Sequence, residues 1–180
     1  MKLYRIILVD DEEEVRKSII RKIKWEENGF LVAGDAENGE DALEKIEALE
    51  PDLILTDIRM PYMDGLTLAE RVRQKYPSMK IVIFSGYDDF EYAKQAIKLN
   101  VTEYILKPVN VEELTAILQK IKANLDQEIE QKRNVNLLRE NYIKSLPILR
   151  EQFLNELVNA PVASETVETR LKEYGIPLSG

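Results

Sequence analysis

Residues 53–66 read LILTDIRMPYMDGL, and the order of chemistry within them decides the fold. The first four are apolar or β-branched with no polar alternation, so the strand they form must be covered on both faces. A carboxylate, Asp57, follows at once. The chain then turns through Pro61 and Asp64-Gly65, and apolar positions return at Leu68, Val72 and Tyr76 with helical spacing. A buried strand, a polar tip and an amphipathic helix make one βα unit of a parallel sheet.

Working outward, similar short runs occur at 4–9, 30–33, 81–84 and 104–106. Between them lie helical stripes: Val15, Ile19, Ile20 and Ile23; Ala42, Leu43 and Ile46; Ala93, Ala96 and Ile97. Turn dipeptides separate the elements at Asn38-Gly39, Glu50-Pro51, Tyr76-Pro77 and Ser85-Gly86. The pattern is (βα)5, and right-handed crossovers predict an α/β, doubly wound parallel sheet of order 2-1-3-4-5.

Beyond Pro108 the pattern changes. Residues 109–146 contain neither glycine nor proline, and Asn110 with Glu113 forms a candidate N-cap pair. Leu114, Leu118, Ile121 and Leu125 follow 4-3-4 spacing, and apolar positions return at Ile129, Val135, Leu138 and Tyr142. A helix over this stretch would be roughly 57 Å long at ~1.5 Å per residue, more than one such domain can cover. Its exposed length predicts a partner, a coiled-coil homodimer, with a solvated single helix as the alternative, because Asn134, Asn136 and the charged block 128–133 interrupt the heptads. Residues 146–158 read as another amphipathic helix starting around Pro147, and residues 165–174 as a short one ending at Gly175. The expected division is 1–124, the sheet domain; 125–145, a helical linker; and 146–180, the helical start of a following region, cut before its end.

Composition narrows the chemistry. The 180 residues carry a net charge of -8, with 44% apolar residues, and contain no cysteine and no histidine. Disulfides, thiolate nucleophiles, cysteine-ligated zinc and imidazole bases are therefore excluded. Neither part has the basic excess of a nucleic-acid-binding domain: 18 bases face 24 acids up to Asn124, and 7 face 9 beyond it. The longest apolar runs are far short of the ~18–20 residues of a membrane helix, and no signal-peptide pattern opens the chain, so a cytoplasmic location is expected.

In an open parallel sheet the site lies outside the carboxyl ends of the strands. Asp10-Asp11, Asp57, Ser85 and Lys107-Pro108 all fall there. Singly, each reads as a helix-end acid, a loop cap, a turn residue or a surface charge. Together they place three carboxylates, a hydroxyl and an ammonium at one sheet edge. Crowded carboxylates raise a pKa or bind a cation, and hard oxygen ligands favour Mg2+, which suits phosphate chemistry. Lys107 and Ser85 supply a further charge and a hydrogen-bond donor for phosphoryl oxygens.

Through these residues and the Asp57-to-Leu66 segment, residues 1–124 closely resemble the receiver domain of two-component response regulators. The resemblance implies that Asp57 is the phosphoacceptor, attacking phosphohistidine. It implies that Asp11 and Asp57 bind Mg2+ directly, Arg59 through its backbone carbonyl and Asp10 through water. Lys107 would pair with the phosphoryl oxygens, Ser85 would be the switch hydroxyl and Tyr104 the switch aromatic. Lys107-Pro108 would carry the family's cis bond, and Arg59 and Tyr87 would stand where the family tunes dephosphorylation. Lacking histidine, the chain needs a separate sensor histidine kinase or phosphotransfer protein as donor. It would be a phosphoacceptor switch, not an enzyme acting on other substrates. The region from Leu138 onward resembles AraC-type (YesN-like) response regulators, which implies transcription regulation through a C-terminal DNA-binding domain absent from this chain.

Other classes fit poorly. An electron carrier of this topology needs a Ser/Thr/Gly-rich phosphate loop after the first strand, where residues 10–14 are all acids. An aspartyl phosphohydrolase would want an acid where Arg59 stands, and neither a dinucleotide fingerprint nor a P-loop lysine motif occurs. A receiver-shaped dimerisation module that is never phosphorylated is the remaining alternative.

Overall fold

The computed structural model describes residues 3–86, 90–159 and 164–176. Tyr87 lies outside the described residues. The chain divides into two units, Met1–Leu125 and Asp126–Gly180.

The first unit holds five parallel strands: β1 (Tyr4–Val9), β2 (Phe30–Ala36), β3 (Leu53–Asp57), β4 (Lys80–Ser85) and β5 (Glu103–Leu106), in the order β2-β1-β3-β4-β5. The helices between them are α1 (Glu13–Lys22), α2 (Gly39–Leu49), α3 (Gly65–Lys75) and α4 (Phe90–Lys98), with the first turns of α5 (Val111–Asn159) closing the unit. Fold class and strand order agree with the sequence expectation.

Continuous apolarity in the strands has a direct cause. Ile6 and Leu8 of β1, Leu53 and Leu55 of β3, and Val82 and Phe84 of β4 pack with Ile19, Ile23, Leu114, Leu118, Ile121 and Leu125. The alternate residues Ile7, Val9, Ile54, Ile81 and Ile83 pack with Ala42, Ile46, Leu68, Val72 and Ala96. Helices α1 and α5 therefore cover one face and α2, α3 and α4 the other, so both faces of each central strand need apolar side chains. Polar residues are tolerated only where this double cover ends, at the carboxyl edge.

Two expectations in this unit need correction. Strand β2 runs on to Ala36 rather than stopping at Ala33, because Gly34, Asp35 and Ala36 pair with Ile7, Leu8 and Val9 past a bulge. In α4, Ala96 of the expected stripe is buried, but Ile97 is 78% exposed rather than facing the sheet; Tyr92 and Leu99, just beyond the helix, pack inward with Ala96. A 3-10 turn, Glu26–Asn28, which the sequence reading did not anticipate, precedes β2 and ends at Gly29 with φ +85.

In the second unit, helix α5 does not restart at Pro147 but passes through it. Proline costs an interior helix one hydrogen bond and a ring clash, yet neighbouring turns carry it when the flanking residues are good helix formers. Further on, α6 (Ser164–Glu173) follows, with Phe153 and Leu171 buried and the Phe153 and Tyr174 rings edge to face at 5.6 Å. Arg150 Nε donates to the Tyr174 carbonyl, and Arg170 pairs with Glu156 at 3.0 Å. Among the described residues, no helix is long and apolar enough to cross a membrane.

Candidate functional site

Strand register brings the predicted residues to one edge. Val9 pairs with Thr56, Asp57 with Phe84, and Ser85 with Leu106, so Asp10, Asp57, Ser85 and Lys107 emerge side by side. A cleft of about 250 Å³ opens there, lined by Asp11, Glu12, Asp57, Ile58, Arg59, Ser85, Gly86, Tyr92 and Lys107.

Asp57, only 7% exposed, forms the floor. One carboxylate oxygen lies 3.1 Å from Lys107 Nζ, and the other accepts the Arg59 N–H at 3.1 Å. Lys107 also donates to Asp10 Oδ2 at 2.8 Å, while Asp10 Oδ1 accepts the Glu12 N–H at 2.8 Å. One ammonium thus serves two buried acids. Burial pushes the Asp57 carboxyl above the ordinary carboxylate value, with Lys107 opposing it and Asp10 adding to it. For Lys107, burial acts downward, but the hydrogen bond to Asp10 and the charges of Asp57 and Asp10 outweigh it and raise the ammonium. Two acids share the one base, so Lys107 gains from both.

Asp10 is 2% exposed and lies beneath the cleft rather than in its lining. Among the described residues no group of three or more His, Cys, Asp or Glu side chains is placed to hold a metal ion. Lys107 Nζ stands between Asp10, at 2.8 Å, and Asp57, at 3.1 Å. Asp11, Asp57 and Arg59 do line the cleft. Mg2+ asks for one or two carboxylates, with waters completing an octahedron, so this donor set fits the ion.

Local chemistry fixes Asp57 in place. Ile58 N–H donates to the Phe84 carbonyl at 3.2 Å, Gly65 N–H to the Ile58 carbonyl at 2.8 Å, and the Thr56 hydroxyl to the Asp57 carbonyl at 2.9 Å. A Cβ on Gly65 would fall 2.0 Å from the Asp57 carbonyl oxygen, so only glycine lets α3 begin this close to β3. Asp64 caps α3 through its side chain, accepting from Thr67 N–H at 2.7 Å. On the β1 side, Arg16 donates to the Asp10 carbonyl and pairs with Asp35 at 2.8 Å, pinning the turn that presents Asp10 and Asp11.

Ser85 is 4% exposed at the end of β4. Tyr104 lies on β5, beside Ile83, and its hydroxyl is buried with no hydrogen-bond partner among the described residues. The Lys107-Pro108 bond is cis. Sequence reasoning missed Arg16, Gly65 and Tyr92. Asp64-Gly65 was legible as a turn but not as the close approach of α3 to β3, whereas Arg16 and Tyr92 gave no signal that distinguishes them from other helix residues.

With this geometry in view, comparison with known proteins is informative. The sequence model of the response regulator receiver domain matches residues 6–119. The transcriptional regulatory protein YesN of Bacillus subtilis, itself uncharacterized, is 37% identical over 158 residues, 87% of this chain and 42% of that protein. The REC domain of AraT, a response regulator from Geobacillus stearothermophilus, superposes with a TM-score of 0.67 at 39% identity, covering 70% of this chain and 98% of that domain. A two component transcriptional regulator AraC from Clostridium phytofermentans gives 0.63 at 35% identity, covering 69% and 98%. The chain spans 42% to 61% of the length of the first curated relatives it matches.

Proposed function

The chain belongs to the response regulator receiver family, and from that premise we propose that it is a phosphoacceptor switch in which Asp57 takes a phosphoryl group from a phosphohistidine of a separate sensor kinase. A carboxylate oxygen of Asp57 attacks phosphorus, the N–P bond breaks, and the imidazole leaves with the electron pair and takes up a proton. The chain acts on no other substrate. The observation that carries this reading is the Asp57 carboxylate at the cleft floor, 3.1 Å from the Lys107 ammonium.

Asp11 and Asp57, with the Arg59 carbonyl, would hold Mg2+, and Asp10 would reach it through water. When bound, the ion neutralises charge on the phosphoryl oxygens. Lys107 stays within reach of those oxygens because Asp10 anchors it from below. Ser85 supplies the switch hydroxyl and Tyr104 the switch aromatic. A buried hydroxyl without a partner costs about 1–3 kcal/mol, so the unpaired Tyr104 hydroxyl supports an element with a second arrangement. That element borders the face of α4, β5 and α5, where Ile97, Leu106 and Val111 are exposed.

On the same proposal, α5 joins two copies as a coiled coil, and phosphorylation in the cytoplasm governs an AraC-type DNA-binding output carried by sequence outside this chain. The span of the chain relative to YesN supports that extension. The test is intact mass after incubation with Mg2+ and a small acyl phosphate. The wild-type chain gains one phosphoryl group and Asp57→Asn gains none. Equal labelling of both, or none in either, overturns the reading and favours the unphosphorylated dimerisation module.

A further inference from the structure

The apolar row of α5 does not stop at Tyr142. After Val135, Leu138 and Tyr142 it runs on through Leu146, Leu149, Phe153 and Leu157, at spacings of three or four residues throughout. That repeat averages ~3.67 residues per turn, close enough to the ~3.6 of an α-helix to keep the whole row on one face. Cover changes along it. Val135, Leu138 and Tyr142 are 50% to 68% exposed, whereas Phe153 is 2% exposed and Leu146, Leu149 and Leu157 are partly buried.

Helix α6 supplies the cover at Phe153. The Phe153 ring meets Tyr174 edge to face at 5.6 Å and Arg170 Cζ at 5.9 Å, and Leu171 is buried. A Schellman turn closes α6: Ile176 N–H donates to the Leu171 carbonyl at 2.9 Å, and the N–H of Gly175, at φ +60, donates to the Lys172 carbonyl at 3.1 Å. Arg150 of α5 donates to the Tyr174 carbonyl and so ties that turn down. A helix of ten residues is marginal by itself, so α6 keeps its place through these few contacts.

We propose that the face of α5 from Leu146 to Leu157 is a second stretch of self-association surface, fitted to the same face of a second copy, and that α6 occupies it in cis and limits the dimer contact to residues 135–142. This rests on α5 joining two copies. The occupant follows from continuity: the row that would meet its copy at Leu138 is the row that α6 covers at Phe153, and one helix face cannot hold both partners at once. Release of α6 would lengthen the contact from roughly two helical turns to roughly six, at ~3.6 residues per turn.

The test is the dimer dissociation constant of the full chain, from sedimentation over a concentration series with beryllofluoride and Mg2+ present. Leu171→Glu removes the buried side chain of α6. Gly175→Val strains its closing turn, where a Cβ falls 3.1 Å from the Arg150 guanidinium. Neither alters the row itself. Both are expected to tighten the dimer, Leu171→Glu by about tenfold, the gain from burying one further large apolar side chain, and Gly175→Val by less. Adding Phe153→Glu to Leu171→Glu is expected to return the dissociation constant to the wild-type value or weaker. The inference is overturned if the tightening survives Phe153→Glu, or if the variants form larger aggregates in place of a dimer. Monomers of wild type and of both variants at every concentration sink the coiled-coil reading and this inference together; a wild-type dimer that neither variant tightens sinks the inference alone.

Discussion

Two buried acids share one base at the centre of the site, and this sets the residue-scale energetics. Asp57 has its folded-state pKa raised chiefly by burial. The folded chain therefore holds its proton more tightly than the unfolded chain does, and stability falls as pH rises from the unfolded value through the folded one. Ionisation of Asp57 therefore destabilises the fold. Asp57→Asn should be more stable by about 1 kcal/mol, and the advantage should shrink as pH is lowered through the folded pKa; urea midpoints from pH 7 to pH 4 measure it. Lys107 has the opposite consequence. Its raised pKa makes a contribution that is complete below the unfolded value near 10.5 and lost as pH rises through the folded value. Lys107→Ala strands Asp10 and Asp57 without a counter-charge and should cost about 3 kcal/mol at pH 7. Combining it with Asp57→Asn should recover part of that loss, and a double-mutant cycle by denaturant unfolding gives the coupling.

Elements matter here through where they begin. Helix α3 starts at Gly65 in contact with the Asp57 backbone, and Gly39 at the start of α2 meets Met63 in the same loop. A methyl group at residue 65 must push β3 or α3 aside, so Gly65→Ala should cost at least ~2 kcal/mol, seen as a lower urea midpoint together with reduced labelling of Asp57. Helix α5 offers the opposite case. Pro147 interrupts its hydrogen bonding, and Pro147→Ala lets residue 147 donate to the Ile143 carbonyl. Removing a proline from a helix interior is worth about 3 kcal/mol locally, and slower amide exchange at residues 148–158 would register it. The contrast explains what the sequence made legible. Strands β1, β3 and β4 were readable because double cover demands apolar residues without alternation, and the site was readable because polar groups stood where that cover ends. The inward face of α4 was not, since in a nine-residue helix Tyr92, Ala93, Ala96 and Ile97 allow two stripes and only packing chooses between them. Nor was the place of Lys107: sequence locates an ammonium at the sheet edge but not its position between two carboxylates, which depends on side-chain reach.

At the scale of the whole molecule, the two units differ in what they bury. Every residue of both apolar clusters in the sheet domain lies at or before Leu125, so that unit has a complete core without the rest of the chain. A fragment of residues 1–125 should fold and take phosphate on Asp57 as the full chain does. Beyond Leu125, α5 carries Val135, Leu138 and Tyr142 at spacings of three and four, at least half exposed. Such a row lowers its free energy most by meeting the same row on a second copy. Burying a leucine side chain is worth about 2 kcal/mol, and a charge in its place adds repulsion across a symmetric contact. With beryllofluoride and Mg2+ present, the full chain should sediment as a dimer, while the fragment and Leu138→Glu should remain monomers that still label fully with acyl phosphate. Dimers of Leu138→Glu at the wild-type concentration would move the self-contact off this row and onto the face of α4 and β5.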